Sequence, residues 1–347
     1  VVDAADLLGT ACQLALQLAD GIARTAQGSA ASPYDFSRDD VFDLIAADCG
    51  LSAEDRLRYP AYDAIMSCVV GGWSQPIAAA CDWEMKCFVG LIRDPVAGNM
   101  VRSLFLDRQR AAKLLAKAAR PTSEIAVAGE VSEALAATLK KARIGIVEPG
   151  QLPEAGIVLR TSPGAAPEPQ LVELGWLRTL PSSDAGVWLS DTTNHGRALE
   201  ICVPAADSRA EHAGLALARA LRAAPLVMHG PSLLASLHAA QTETATLTAD
   251  LQVLAVALAA ARVWQVGGVE DAALADSAAV IGGLHPAYTG GPFCYLRQRP
   301  LSTIRAAAAR AAVTHPEQFA LPRDIERLCA DSADVSLAAP MAATRHL

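Results

Sequence analysis

The sequence predicts an α/β plus α protein, an α/β layer set between two helical regions. Three observations predict it. Apolar stripes of helical period run through residues 1–120, short apolar runs alternate with helical stretches over 121–230, and helical patterning returns over 231–347. These three spans are the expected domains.

In order along the chain, Val2–Ala26 places Leu7, Leu8, Ala11, Leu14, Leu18 and Ile22 on one helical face. Gly28–Pro33 reads as a linker. Ser37, three residues before Asp40 and ahead of Val41, Phe42, Leu44 and Ile45, marks a helix start of the capping-box kind. Helices over Ala61–Val70, Gln75–Ile92 and Val96–Ala119 complete this region.

After Pro121 the runs Ile125–Ala128, Ile144–Val147, Ile157–Leu159, Val187–Leu189, Leu199–Val203 and Pro225–Met228 read as buried strands. Helices over Val131–Lys140 and Ser208–Ala223 fit between some of them, the mark of a largely parallel sheet. Only six residues, Pro149 to Glu154, separate a second strand ending at Glu148 from the next apolar stretch, which starts at Ala155, whereas a parallel crossover needs about a dozen. The second strand is therefore expected to turn back as a hairpin or to be rewired. Beyond Pro231 the pattern predicts one long helix over Ser232–Trp264, then Glu270–Gly282, a Gly-Gly-Pro turn at Gly290, and Leu301–Val313.

Hydrophobic residues make up 52% and charged residues 19%, a globular and not a disordered composition. A net charge of -8 with no basic aromatic stripe argues against a nucleic-acid partner. The longest apolar stretch, Leu251–Trp264, is interrupted by Gln252 and Arg262 and is too short for a membrane span. The eight cysteines stand singly without a CxxC pair and the histidines form no i,i+4 pair, so no metal site is expected. Reduced thiols in a cytoplasmic protein are the expectation. No signal peptide is visible, and a start at Val1 inside a helical pattern suggests one region of a longer polypeptide.

The segment His285-Pro286-Ala287-Tyr288-Thr289-Gly290-Gly291-Pro292-Phe293 resembles the turn in the C-terminal helical domain of 3-hydroxyacyl-CoA dehydrogenases. The likeness is greatest to the multifunctional proteins of fatty-acid β-oxidation. Tyr59–Ile65 and the stretch from Glu84 through Leu104–Arg110 resemble their helical linker, and Val1–Leu8 is similar to the last helices of their enoyl-CoA hydratase fold. The resemblance runs in order over nearly the whole chain. It implies the end of a hydratase-type fold plus linker over 1–120, a truncated Rossmann-like domain over 121–230, and a dehydrogenase C-terminal-type helical domain over 231–347. It further implies acyl-CoA as the substrate class, an attached or associated hydratase domain, and an oligomer.

A dinucleotide site needs a G-x-G-x-x-G turn between a strand and a helix, so that backbone can approach the pyrophosphate. Here Gly129 takes the first position, Val131 the second and Ala134 the third, with Glu130 and Glu133 adding negative charge. Val131 would stand in the pyrophosphate's space, so NAD is not an expected cofactor. Glu148, nineteen residues after Gly129, is either the acid that would hold the ribose or a solvated acid before Pro149-Gly150.

For catalysis the resemblance implies a hydroxyl, an Asn, and a His oriented by a Glu. Ser190-Asp191-Thr192-Thr193 puts the hydroxyl on Thr193, and Ala198-Leu199-Glu200-Ile201 puts the Glu at Glu200. Gly230-Pro231-Ser232-Leu233-Leu234-Ala235-Ser236-Leu237 leaves Ser236 where the family has Asn. The His position, about a dozen residues before Glu200, falls on Trp188. His195 is the one nearby histidine, either a base in a rewired loop or a solvated side chain. The expected function is thus a dehydrogenase-like half of a β-oxidation protein that acts as a structural and oligomerisation module without NAD. The alternatives are an active NAD-dependent 3-hydroxyacyl-CoA dehydrogenase with a rewired site, and an acyl-CoA-binding module.

Overall fold

The computed structural model describes residues 6–20, 32, 34–117, 121–162, 170–177, 185–190, 195–203 and 207–330. Thr193, both ends of the first expected helix, and all of the expected linker except Ser32 lie outside these residues.

The described part of 1–120 is helical: α1 (Leu7–Ala19), α2 (Val41–Asp48), α3 (Ala53–Arg58), α4 (Ala61–Gly72), α5 (Ile77–Ile92), α6 (Pro95–Met100) and α7 (Asp107–Lys117). A π-helical turn, Val101–Leu106, makes α6 and α7 one continuous rod. The capping box falls at α3, where Ser52 and Asp55 bond reciprocally. Ser37 instead donates its hydroxyl to Asp35 Oδ1 at 2.6 Å, and α2 starts from Asp40 without a side-chain cap. Asp35, two residues back, is within reach of the Ser37 hydroxyl before any helical turn has formed.

The middle of the chain forms β1 (Glu124–Ala128), α8 (Glu133–Ala142), β2 (Gly145–Ile146), β3 (Ile157–Arg160), β4 (Val172–Trp176), β5 (Gly186–Leu189), β6 (Ala198–Cys202), α9 (Ser208–Leu221) and β7 (Ala224–Met228). They build one sheet in the order β2-β1-β3-β4-β5-β6-β7. Only β5 and β6 pair antiparallel; every other neighbour pair is parallel. Pro225 is accommodated because β7 is an edge strand.

The expected hairpin after the second strand is not formed. β2 and β3 both run parallel to β1, on opposite sides of it, so the chain crosses over β1. β2 is only two residues long and frees Val147–Gly156 for the return. That length of extended chain spans roughly 30 Å, more than a short strand and two strand spacings require, so a single 3-10 turn at Pro149–Gln151 replaces a helix.

Period-two alternation sorts the strand side chains. Ile125, Leu159, Leu174, Val187, Leu199 and Ile201 pack with Leu135 and Leu139 of α8 and Leu217 of α9. Trp188, Ala198, Cys202, Leu226 and Met228 point the other way, into a second core built with the C-terminal helices. Those helices are α10 (Leu233–Glu243), α11 (Ala249–Gln265), α12 (Ala272–Ile281), α13 (Pro292–Arg297), α14 (Leu301–Ala311) and α15 (Ile325–Ala330). The single helix expected over Ser232–Trp264 is two, α10 and α11, which pack on each other. Thr244 ends α10, its buried hydroxyl donating back to Ala240 O at 2.6 Å. No described helix is long and apolar enough to cross a membrane.

Candidate functional site

Two places hold the chemistry the sequence points to: the switch point between β1 and β3, and the β5–β6 ladder facing α10. In a sheet of this order the chain leaves β1 in one direction and returns on its other side, so loops diverge at the carboxyl ends of β1 and β3 and ordinarily open a crevice.

At this point Thr161 and Ser162, which follow β3, pack against Gly129. Gly129 follows β1 with φ +117°. A Cβ built on it would lie 2.2 Å from Ser162 Oγ and 2.7 Å from Thr161 Oγ1. Thr161 donates its N–H to Ala128 O at 2.9 Å and its hydroxyl to Glu130 O at 2.7 Å, which ties the loop after β3 to the loop after β1. Gly129 thus admits Thr161 and Ser162 where a glycine at a nucleotide site admits a phosphate. Val131 lies 37% exposed. Ser132 caps α8 by accepting the Leu135 N–H at 3.3 Å, with Glu133 in the first turn. Glu148 is exposed at the start of the 3-10 turn, its N–H bonded to Gln151 Oε1 at 3.2 Å.

Glu200 is fully buried in the middle of β6. Its Oε1 accepts the Leu233 N–H at 2.6 Å and its Oε2 the Leu234 N–H at 3.1 Å, while the Ser232 hydroxyl donates to the same Oε2. The carboxylate therefore seats the first turn of α10, whose unsatisfied N–H groups and positive dipole end suit an acid. Burial pushes the carboxyl up to about 7, against these three donors. Ser232 also caps α10 by accepting the Ala235 N–H at 3.0 Å.

Opposite Glu200 in the ladder stands Trp188, 2% exposed, with its ring 5.9 Å from that of His238 on α10. The position expected from the sequence for a base is therefore next to Glu200 in space but carries an indole. His195 is half-buried, and its carbonyl accepts Arg108 Nη1 at 3.2 Å. The donors to Glu200 come from Ser232, Leu233 and Leu234, so the two candidates Glu200 and His195 are not joined in a base–orienter pair. Ser236 sits one turn into α10 and donates its hydroxyl to Ser232 O at 2.7 Å. The fold thus brings Glu200 and Ser236 to the same helix end and leaves Gly129 and Glu148 elsewhere. Sequence reasoning misses Ser232, although a Gly-Pro-Ser stretch before an apolar run is an N-cap signal.

A second buried acid repeats the device. Asp276 on α12 accepts the Phe293 N–H at 2.7 Å and the Cys294 N–H at 3.0 Å, which seats α13. Arg102, in the π-helical turn, pairs with it at 3.1 Å and donates to Gly290 O at 2.9 Å. Burial pushes the Asp276 carboxyl up to about 7, opposed by Arg102 and the two N–H groups. His285, also in the Gly-Gly-Pro-Phe segment, lies with Nδ1 2.7 Å from Thr289 Oγ1 and Nε2 3.3 Å from Val253 O. Burial lowers it to about 3, so the ring is neutral.

At the opposite, amino-terminal ends of the strands, where β1, β3 and β4 begin and α9 starts, lies a cavity of about 460 Å³ lined in part by Glu124, Glu154, Val172, Arg209 and His212. Arg209 is engaged with Gln170 O at 3.2 Å and His212 Nδ1 lies 2.6 Å from Ser208 O. Among the described residues no group of three or more His, Cys, Asp or Glu is placed to hold a metal ion. No protein-family model matches this chain, and no curated protein matches it in sequence.

Proposed function

We propose that this chain is a dehydrogenase-like scaffold of the fatty-acid β-oxidation type, a truncated Rossmann-like unit and a helical domain that work as a structural and oligomerisation module without NAD. The reading joins the resemblance in the linker and the Gly-Gly-Pro-Phe segment to a sheet with a single βα unit outside β1. The observation that carries it is the engagement of Glu200. An acid that should orient a base instead seats α10, and Trp188 occupies the base's place beside it. An orienting carboxylate without a base performs no proton transfer.

Exposed apolar side chains on the linker support the module reading. Ile65 and Val69 on α4, and Ile77, Phe88 and Ile92 on α5, are 44% to 79% exposed. Exposed apolar side chains of this kind suit contact with a hydratase-type domain or another subunit.

Calorimetric titration of the chain with NADH and with acetoacetyl-CoA tests the proposal. The scaffold reading expects no heat with NADH. Micromolar NADH binding would overturn it in favour of an active dehydrogenase with a rewired site. Binding of acetoacetyl-CoA without NADH would select an acyl-CoA-binding module.

A further inference from the structure

The packed helices α4 and α5 carry three of the chain's eight cysteines, Cys68, Cys81 and Cys87. Small residues set the helix spacing: a Cβ on Gly71 would come within 2.9 Å of Trp83 Nε1, and one on Gly72 within 3.3 Å of Ala80 Cβ. The Trp83 indole donates to Ser67 O at 3.1 Å. Cys68 follows Ser67 and stands three residues before Gly71; Cys87 stands four residues after Trp83. Residues three or four apart share a helix face, so the pair continues the contact stripe that Gly71 and Trp83 begin. Both thiols are half-buried, and Cys87 stands close enough to help raise the Cys68 thiol.

We propose that Cys68 and Cys87 form a redox-active dithiol that hydrogen peroxide closes into a disulfide, stapling α4 to α5. The spacing suits the bond. Helices of about 2.3 Å Cα radius whose axes lie about 8–10 Å apart place facing Cα atoms roughly 3.4–5.4 Å from each other, which reaches the range a disulfide spans. The chemistry balances without another reductant. One thiolate sulfur attacks a peroxide oxygen, the O–O bond breaks, and the departing oxygen takes up protons to leave as water. The resulting sulfenic sulfur is attacked by the second thiolate, the S–O bond breaks, and a second water leaves. Two thiols supply two electrons, and one peroxide becomes two waters.

Burial and the neighbouring Cys87 both raise the Cys68 thiol, which disfavours Cys68 as the attacking thiolate and suits it to the resolving role. Three of the other cysteines are poorly placed for this bond. Cys81, six residues before Cys87 on α5, points about 240° around the helix from it. Cys202 and Cys294 are buried, with thiols that burial raises strongly.

The test is peroxide treatment of the full chain, alkylation of remaining thiols, and non-reducing peptide mass spectrometry. The expected result is a Cys68–Cys87 cross-linked peptide as the dominant disulfide. Lys86 is the one tryptic site between the two cysteines, and cleavage there is expected to slow at least about five-fold on oxidation and to recover with dithiothreitol. In Cys68→Ser a sulfenic acid at Cys87 is expected to accumulate and to be trapped by dimedone. Free alkylation of both thiols in the oxidised wild type, or a dominant bond from either to Cys81 or Cys49, would overturn the proposal.

Discussion

Trp188 and Glu200 face each other across the β5–β6 ladder, on the side of the sheet that meets the C-terminal helices. Glu200 gives two oxygens to two backbone N–H groups and a hydroxyl, and a glutamine has one oxygen to give. Glu200→Gln turns its NH2 toward the Leu233 or the Leu234 N–H, an expected loss of about 1–3 kcal/mol. The sign of the pH dependence follows from a carboxyl raised to about 7 in the fold. Its contribution is fully present below the ordinary carboxylate range and is lost as pH rises through 7. The substituted amide does not titrate, so the gap between variant and wild type closes by up to about 3 kcal/mol between pH 4.5 and 8. Urea midpoints at both pH values read this directly. A gap that widens at high pH would mean that the α10 N-terminus favours the charged carboxylate over the neutral acid.

The Arg102–Asp276 pair joins the linker rod to α12, α13 and the Gly290 turn. Arg102→Ala leaves Asp276 buried with two N–H donors and no cation. The expected cost is about 3–5 kcal/mol, the range for removing one partner of a buried pair. A double-mutant cycle with Asp276→Asn is expected to show strong coupling, because the second change relieves the stranded charge. If Arg102→Ala costs under about 1 kcal/mol, the backbone donors alone hold Asp276.

Glu200 is readable as a candidate residue and Asp276 is not, and neither is readable as a helix seat, for a physical reason. Glu200 stands 32 positions from Ser232 and Arg102 stands 174 from Asp276, and no local pattern encodes such pairings. Strand detection shows the same limit. The apolar runs at β1, β3, β5 and β7 are legible, as is β6 despite Glu200, but β4 is not read as a strand because Glu173 and Gly175 both interrupt its apolar residues. Its alternation of Val172, Leu174 and Trp176 is the available signal, and Glu173 is satisfied across the sheet by Arg160 of β3. The α10–α11 break carries neither Gly nor Pro. Thr244, Thr246 and Thr248 mark it, with Thr244 bonding back to the helix backbone, a weaker cue.

Gly129→Ala tests the packed switch point. The new Cβ meets Ser162 Oγ and Thr161 Oγ1 well inside contact distance, at a φ that L-residues rarely adopt. Backbone strain alone is worth about 1–3 kcal/mol, and the clash adds to it. Adding Ser162→Gly removes the nearest atom, so the double variant is expected to regain part of the loss in thermal melts but not the part due to φ. Full recovery would show that the φ imposes no cost.

His285 is the group whose titration opposes that of Glu200. Burial holds it at about 3 in the fold, far below its ordinary value near 6.5. A group with a depressed pKa of this kind stabilises above the unfolded value and loses that contribution as pH falls toward the folded one, because the unfolded chain then binds the proton more readily. Between pH 7.5 and pH 5 the loss is about 2 kcal/mol for one such histidine. Glu200 and Asp276 gain stability over part of the same interval, so the wild-type curve alone mixes three groups. His285→Asn removes one of them. The variant is expected to be destabilised at pH 7.5 through its lost packing and hydrogen bonds, and the deficit is expected to shrink by about 2 kcal/mol at pH 5. Denaturant titrations of both proteins at the two pH values measure this difference. An unchanged deficit would mean that His285 accepts a proton in the folded protein as readily as in the unfolded chain, and that the Thr289 and Val253 contacts do not hold it neutral.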